Sequence, residues 1–191
     1  MDLQKETLDD LRLYVVENNN IPKSVLSKKN KAKTWGYGYN EKYDVVIISK
    51  DGTLGEIYNI NGLKVGLPTT PANLKKGDNK WTLQHIPKEL TKIRTIFDWN
   101  KRDNQFKNKW VSYIEEEFDR RDNGYWFMNN DKPCYVTGTH YMYLQWTKID
   151  VGNPEFREAN RIFYLFWEAC KADVRCFGMC YLKNRRSGFS F

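Results

Sequence analysis

The residues best suited to chemistry stand together at 183–190, in the order Lys183-Asn184-Arg185-Arg186-Ser187-Gly188-Phe189-Ser190. A phosphate-binding loop needs inward-facing backbone N–H groups, a cation and a hydroxyl for Mg²⁺, as in the pattern G-x-x-x-x-G-K-[ST]. Gly188 and Ser190 match that pattern, whereas Phe189 replaces its lysine and Lys183 replaces its first glycine. Because a long ammonium reaches phosphate from either end of a curled loop, this segment predicts a nucleotide-phosphate site.

Two arginines within the same segment add cations to the predicted loop. Arg185 and Arg186 would contact phosphate or act as an arginine that senses a neighbouring subunit. The preceding residues, Val174–Leu182, are apolar except for Arg175 and predict a buried strand that delivers the chain to the loop. The alternative interpretation is a basic, disordered terminus, because one glycine and one serine among basic residues often arise by chance.

The remaining titratable residues predict no second reactive centre. The four cysteines are interpreted as structural thiols in a reducing cytoplasm, since their spacing lacks the paired C-x-x-C typical of zinc sites. They are Cys134, Cys170, Cys176 and Cys180. The Glu115-Glu116-Glu117 run predicts a solvated helix face, because successive helix residues point about 100° apart and cannot converge on one ligand.

Composition limits the class of protein that can carry these residues. The chain has 191 residues, of which 40% are hydrophobic and 15% aromatic, and this is typical of a globular protein. It contains no apolar run of about 18 residues, so no membrane span is expected. The net charge of +7 is compatible with a polyanionic partner such as nucleic acid or nucleotide, although many globular proteins share such an excess.

The elements that must position the loop are predicted in four segments. Residues 1–34 form a helical and basic leader, with a helix at 1–19 and a lysine-rich loop at 21–34. Residues 35–69 form a small antiparallel β meander. Residues 70–150 form a mixed helical and aromatic segment, and residues 151–191 begin a P-loop ATPase domain.

Local signals give these segments their predicted helices and strands. In the meander, strands at 44–49, 54–60 and 63–67 would be joined by turns at Asp51-Gly52 and Asn61-Gly62. Helices are predicted at 87–98 and 105–121 from their apolar spacing. A further helix of about 18 residues is expected to begin at Pro154, because proline favours the first helical turn.

Several segments in a fixed order resemble one protein family. They are Thr137-Gly138-Thr139-His140-Tyr141-Met142-Tyr143-Leu144, Lys148-Ile149-Asp150, Pro154-Glu155-Phe156-Arg157, Phe163–Trp167 and Lys183–Ser190. Together they resemble the N-terminal part of the large terminase subunit of tailed bacteriophages. Members of this family package double-stranded DNA into an empty capsid with a P-loop ATPase domain and cut it with an RNase H-like nuclease domain.

The resemblance implies a role for individual residues. Lys183 and the amides around Gly188 would hold the phosphates of ATP, and Ser190 would bind Mg²⁺. Tyr141, Tyr143 and Gln145 are candidates for an adenine pocket, because an aromatic face and an amide together hold a purine. The alternative for these three side chains is ordinary core and turn packing.

The implied fold is an α+β N-terminal region that leads into the first strand and P-loop of an α/β (ASCE-type) ATPase domain. The implied cofactors are ATP and Mg²⁺. The implied partners are double-stranded DNA, the portal protein, the small terminase subunit and further copies of the chain in a ring. No membrane contact is implied, and the implied location is the cytoplasm of the host cell.

The sequence through Phe191 contains no Walker B strand, catalytic glutamate or nuclease carboxylates. The chain is therefore expected to be an N-terminal fragment, truncated after Walker A, that contributes part of an ATP site. The alternative is a stand-alone basic module that docks on nucleic acid or on a portal or small-terminase partner. The surface of such a module would be carried by residues 43–67 and Lys23–Lys33.

Overall fold

A computed structural model describes residues 35–74, 80–150 and 152–182. The helix predicted at 1–19, the lysine-rich loop at 21–34 and the phosphate loop at 183–190 lie outside the described residues.

A four-stranded sheet occupies the segment in which the meander was predicted. Its strands are β1 (Gly38–Asn40), β2 (Val45–Ile47), β3 (Ile57–Ile60) and β4 (Leu63–Gly66). Their order is β1-β2-β4-β3, in which β1/β2 and β3/β4 are antiparallel and the central β2/β4 pair is parallel. The predicted small sheet with antiparallel pairs is confirmed, but the sequential order of a meander is wrong.

The two predicted turns explain this strand order. Asn61 (φ 50°) and Gly62 (φ 94°) form the left-handed turn that joins β3 to β4, as predicted. Asp51-Gly52 does not form a hairpin, because the Asp51 carboxylate accepts hydrogen bonds from the Thr53 amide and hydroxyl at 3.1 and 2.9 Å and closes a local loop. The chain then crosses to the side of β4 opposite β2, where the Gly55 amide donates a hydrogen bond to the Leu67 carbonyl at 2.8 Å. This crossover leaves β4 beside β2.

Four helices and a second, two-stranded sheet complete the described structure. They are α1 (Ile96–Asn100), α2 (Asn104–Asn123), β5 (Tyr125–Asn129), β6 (Lys132–Val136), α3 (Gly138–Trp146) and α4 (Glu158–Ala172). α2 confirms the helix predicted at 105–121, while 87–98 holds only a 3₁₀ turn (Leu90–Lys92) and the start of α1. α4 begins at Glu158, later than the predicted Pro154. Among the described residues, no helix has the length and apolar composition needed to cross a bilayer.

Capping chemistry sets where α1 begins. The Thr95 hydroxyl accepts a hydrogen bond from the Asp98 amide at 3.2 Å, and the Asp98 carboxylate accepts one from the Thr95 amide at 3.1 Å. This capping box satisfies amides at the helix start that have no partner within the helix. The predicted helix at 87–98 is therefore interrupted before residue 96.

Two apolar clusters hold the fold together. In the first, α4 packs Leu165, Ala169 and Ala172 against the four-stranded sheet. In the second, α3 packs Tyr141 and Leu144 against the β5/β6 hairpin. The first cluster contains residues from 35–69 and from 158–172, so it extends across the boundary predicted between residues 150 and 151.

Residues 174–182 do not form the buried strand that their apolar composition predicts. Val174, Phe177 and Leu182 are 89%, 101% and 97% exposed. None of the strands in the described part of the chain pairs with this segment. A strand is stabilised by hydrogen bonds and side-chain contacts from its neighbours, and apolar composition alone does not provide them. The prediction of a buried strand is wrong, whereas the mixed α+β character of the region is confirmed.

Candidate functional site

A buried carboxylate lies at the centre of the packing between α2 and α3. Glu117 is 4% exposed and is the one buried residue of α2. It accepts hydrogen bonds from the Tyr141 hydroxyl at 2.7 Å, the Arg120 guanidinium at 2.7 Å and the Trp146 indole at 3.1 Å. Burial and the bond to Glu117 raise the pKa of Tyr141, so its hydroxyl keeps the proton that it donates.

The prediction of a solvated glutamate face therefore holds for only part of the run. Glu115 and Glu116 are exposed, but Glu117 points into the protein. A buried carboxylate needs charge-assisted hydrogen bonds that replace its hydration, and Arg120 and Tyr141 provide them. Glu117 is thus a structural centre that organises the two helices, and its hydrogen bonds orient Tyr141.

Gln145 connects α3 to the segment at 81–85. Its side-chain carbonyl accepts a hydrogen bond from the Gln84 amide, and its side-chain NH₂ donates to the Gln84 carbonyl, both at 2.9 Å. This pairing uses the same donor and acceptor geometry with which an amide recognises the edge of a purine. The side chain of Gln84 in turn accepts a hydrogen bond from Tyr125 at 3.2 Å.

The three adenine-pocket candidates all lie on α3 but do not converge. Tyr141 and Gln145 are buried on one face, where their polar atoms bond Glu117 and Gln84. Tyr143 lies on another face, with its ring 6.4 Å from that of His140. Purine binding at Gln145 would require the Gln84 backbone to give up both of its bonds.

A cavity of about 690 Å³ lies between the 80–85 segment, the second half of α2 and strand β5. The residues that line it include Trp81, Trp126, Arg120, Glu116 and Asp119. The volume suits a small organic molecule. The adenine candidates Tyr141, Tyr143 and Gln145 are not among the described residues that line it.

His140 is buried among aromatic rings at the opposite side of α3. Its ring stacks on Tyr164 at a centroid distance of 4.7 Å and near Phe156 at 5.8 Å. Neither ring nitrogen has a hydrogen-bond partner among the described residues. Burial, and secondarily the charge of Arg161, lowers the pKa of His140 to about 3. This histidine is therefore neutral near pH 7 and contributes packing rather than proton transfer.

The predicted phosphate-binding residues, Lys183–Ser190, lie outside the described residues. Within the described part of the chain, no group of three or more His, Cys, Asp or Glu residues could hold a metal ion. The Mg²⁺ that the resemblance assigns to Ser190 therefore stays a prediction.

Glu117 and Gln84 are the residues that sequence reasoning did not single out. Glu117 stands in a run of three identical residues, so composition gives no reason to distinguish it from its neighbours. A signal was present in the helical spacing, because Tyr113, Glu117 and Arg120 are separated by four and three residues and share one face of α2. Gln84 carries no such signal, since its partner lies on α3.

Comparisons with known proteins yielded no relative of this chain: no protein-family model, no curated protein and no solved structure matches it.

Proposed function

We propose that this chain is the N-terminal region of a phage large terminase subunit, the ATP-driven motor that packages double-stranded DNA into a capsid. In this role it contributes Lys183, the loop amides around Gly188 and the hydroxyl of Ser190 to an ATP and Mg²⁺ site. It acts in the host cytoplasm with the portal protein and the small terminase subunit, as one member of a ring.

The observation that carries the proposal is the exposed segment just before the basic loop. Phe177 and Leu182 are 101% and 97% exposed, on a chain that leaves α4 in a non-helical conformation. Large apolar side chains that are exposed to this extent suit a surface that another part of the protein would cover. The chain runs from this exposed segment directly into Lys183–Ser190, whose basic residues, glycine and serine are the residue types that a phosphate site requires.

The distribution of charge favours this proposal over a stand-alone module that binds nucleic acid through its sheet. The segments 1–34, 75–79 and 183–191 hold 12 of the 31 basic residues and only 6 of the 24 acidic residues. The described residues are therefore almost neutral, and residues 43–67 carry no basic excess. Binding of the phosphate backbone depends on clustered cations, and the 183–191 segment has three without any acidic residue.

The family assignment is tested by reading the genomic DNA beyond the codon for Phe191. We expect an in-frame continuation that encodes a helix and then an apolar strand that ends in Asp-Glu, the Walker B pattern. A stop codon at that point, with no ATPase frame downstream, would overturn the assignment.

The nucleotide site is tested on the 191-residue chain with a fluorescent ATP analogue and Mg²⁺. We expect saturable binding that unlabelled ATP displaces, and binding roughly tenfold weaker in Lys183→Ala, because a charge-assisted contact is lost. Lys132→Ala is the matched control, since Lys132 is an exposed lysine of the β5/β6 hairpin. Equal binding by Lys183→Ala and Lys132→Ala would show that Lys183 does not hold the phosphates.

A further inference from the structure

The segment that contains the short helix α1 is positively charged. Residues 86–109 contain seven basic and three acidic residues, whereas the other described residues contain 12 basic and 15 acidic residues. The excess of positive charge in the described part of the chain is therefore concentrated in this one segment. Clustered cations of this kind attract the phosphates of a polyanion.

The acidic residues of this segment are already engaged. Asp98 and Asp103 accept hydrogen bonds from backbone amides at the starts of α1 and α2, at 3.1 and 2.7 Å. Glu89 pairs with Lys109 at 2.9 Å. Five exposed cations, in contrast, form no ion pair within the described part of the chain, so their charges are available to a partner. They are Lys88, Lys92, Arg94, Lys101 and Arg102.

Two large apolar side chains lie between these cations in the sequence. Ile96 and Phe97, the first residues of α1, are 74% and 63% exposed. The capping box at Thr95 fixes this turn of the helix, so both side chains are held at the surface. The Lys101 ammonium lies 4.1 Å from the centroid of the Phe97 ring. The segment therefore presents an aromatic ring directly beside a cation.

The cations at the two ends of α1 are close together. The helix has five residues and is therefore about 7.5 Å long. Arg94 lies just before it, and the Arg94 amide donates a hydrogen bond to the Asp98 carboxylate at 3.1 Å. Lys101 and Arg102 follow the helix, and the Arg102 guanidinium lies 5.1 Å from the centroid of the Phe106 ring on α2. The exposed apolar pair and its flanking cations thus form one compact surface.

We propose that the surface around α1 binds single-stranded DNA. This α1 surface consists of Lys92, Arg94, Ile96, Phe97, Lys101 and Arg102. The cations contact phosphates of the strand, and an unpaired base stacks on the Phe97 ring. Because Lys101 lies beside that ring, its flexible side chain reaches the phosphate of the stacked nucleotide.

A single strand uses both features of the α1 surface. In a duplex the bases are stacked on one another, so a duplex offers phosphates but no free base for Phe97. Binding at a membrane scales with the apolar area that is buried, and one helical turn with two exposed apolar side chains offers little of it. The apolar pair beside uncompensated cations therefore favours a single strand.

This inference goes beyond the terminase assignment, which concerns duplex DNA and ATP. Only the choice of DNA over RNA rests on that assignment, because the contacts to phosphate and base do not involve the sugar. The genomic reading and the ATP-analogue titration can each fail while the α1 surface still binds a strand, and the reverse also holds.

Binding is measured by the fluorescence anisotropy of a fluorescein-labelled oligothymidylate of about 20 nucleotides, titrated with the native 191-residue chain. A DNA duplex and an oligouridylate of the same length, and vesicles of phosphatidylserine and phosphatidylcholine, are tested beside it. We expect oligothymidylate to bind roughly tenfold more tightly than the duplex, because only the single strand gains a stacked base. Oligouridylate is expected to bind no more tightly than oligothymidylate, and the vesicles are expected not to bind.

Phe97→Ala is expected to weaken the binding of oligothymidylate roughly tenfold, because the stacked base is lost. Phe97→Trp is expected to retain tight binding, since an indole ring also stacks. Phe118→Ala is the matched control, because Phe118 is a phenylalanine of α2 with a similar exposure, 58%. A thermal scan checks that the variants keep the native Tm.

A charge variant tests the phosphate contacts separately. Arg94→Gln combined with Lys101→Gln is expected to reduce the slope of log K against log salt by about 1.4, because each lost phosphate contact removes about 0.7. The hydrogen bond from Arg94 to Asp98 comes from the backbone amide, so the substitution retains it. Lys132→Gln combined with Arg157→Gln is the matched control, since it removes two exposed cations outside the α1 surface and should leave the slope unchanged.

The proposal is overturned if oligothymidylate does not bind, if the duplex binds as tightly, or if Phe97→Ala and Phe118→Ala bind the strand equally. Equal changes of the salt slope in the two charge variants would also overturn it, since only overall charge would then matter. Tighter binding of oligouridylate would assign the α1 surface to RNA, and binding of vesicles alone would assign it to a membrane, so either result refutes the proposal.

Discussion

Glu117 shows how strongly one side chain can determine the packing of two helices. Its carboxylate lies on α2 and accepts hydrogen bonds from Tyr141 and Trp146 of α3, as well as from Arg120 of its own helix. Each donor is inside the protein or at its margin, so the loss of the acceptor leaves polar groups without partners in a region of low dielectric constant.

Replacement of Glu117 with alanine is predicted to lower the free energy of unfolding by about 3–5 kcal/mol, because it breaks a buried ion pair and leaves donors unpaired. Urea denaturation followed by tryptophan fluorescence measures the effect. Glu116→Ala is the control, since Glu116 is exposed and its one hydrogen-bond partner among the described residues is the same Arg120, at 3.2 Å. It should cost less than about 0.5 kcal/mol. Similar losses for the two variants would contradict the structural role of Glu117.

His140 makes the stability depend on pH. Its pKa is lowered from 6.5 to about 3 by burial, so the unfolded chain binds a proton that the folded chain rejects. The stabilisation is complete above the unfolded pKa and is lost as the pH falls toward the folded pKa.

Between pH 7 and pH 5, the free energy of unfolding of the native chain is predicted to fall by about 2 kcal/mol more than that of His140→Phe. The phenylalanine ring keeps the stacking on Tyr164 but cannot bind a proton. Urea denaturation of both proteins at the two pH values measures the difference. If His140→Phe kept the native pH dependence, the burial of a neutral His140 would be refuted.

At the level of elements, α2 and α3 approach so closely that only glycine fits at the start of α3. A Cβ atom at Gly138 would lie 1.9 Å from the Arg121 carbonyl oxygen on α2. Backbone atoms cannot move aside as a flexible side chain can, so the two helices would have to separate. This contact places Tyr141 and Trp146 within reach of Glu117.

Gly138→Ala is therefore predicted to destabilise the fold by about 1–3 kcal/mol through overpacking. A thermal unfolding scan gives the corresponding fall in Tm. Gly178→Ala is a matched control, because a Cβ atom at Gly178 would meet no atom of the described residues within 4 Å. Retention of the native Tm by Gly138→Ala would show that the two helices are not in contact at this point.

For the whole molecule, two leucines with opposite environments define where the core ends. Leu165 on α4 is 0% exposed, whereas Leu182, at the end of the apolar run 174–182, is 97% exposed. Leu165→Ala is predicted to cost about 2–5 kcal/mol through lost burial and a cavity, and Leu182→Ala less than about 0.5 kcal/mol. Urea denaturation of the two variants tests both values. A large loss for Leu182→Ala would mean that residues 174–182 belong to the core after all.

Sequence alone predicted the features that depend on neighbouring residues. The Asn61-Gly62 turn, the helix at 105–121 and the presence of a small sheet at 35–69 all follow from local backbone preferences and apolar spacing. The Asp51-Gly52 pair shows the limit of such signals, because the Asp51 carboxylate favoured a local loop over a hairpin. The strand order then followed from the crossover at Gly55, which no local pattern specifies.

The candidate functional residues likewise divide into those proposed from the sequence and those found only in the tertiary structure. The phosphate loop predicted at 183–190 and the resemblance to a terminase rest on the order of residues alone, since phosphate-binding patterns are local in sequence, and both stay predictions. Only the tertiary structure decided that Glu117 is buried while Glu116 is exposed, that Gln145 holds the Gln84 backbone, and that residues 174–182 lie exposed. Burial and pairing are set by partners that are distant in sequence: for Gln145 and Gln84 the separation is 61 residues. Local preferences act on the chain before those partners meet, and the partners decide which side chains remain in contact with water.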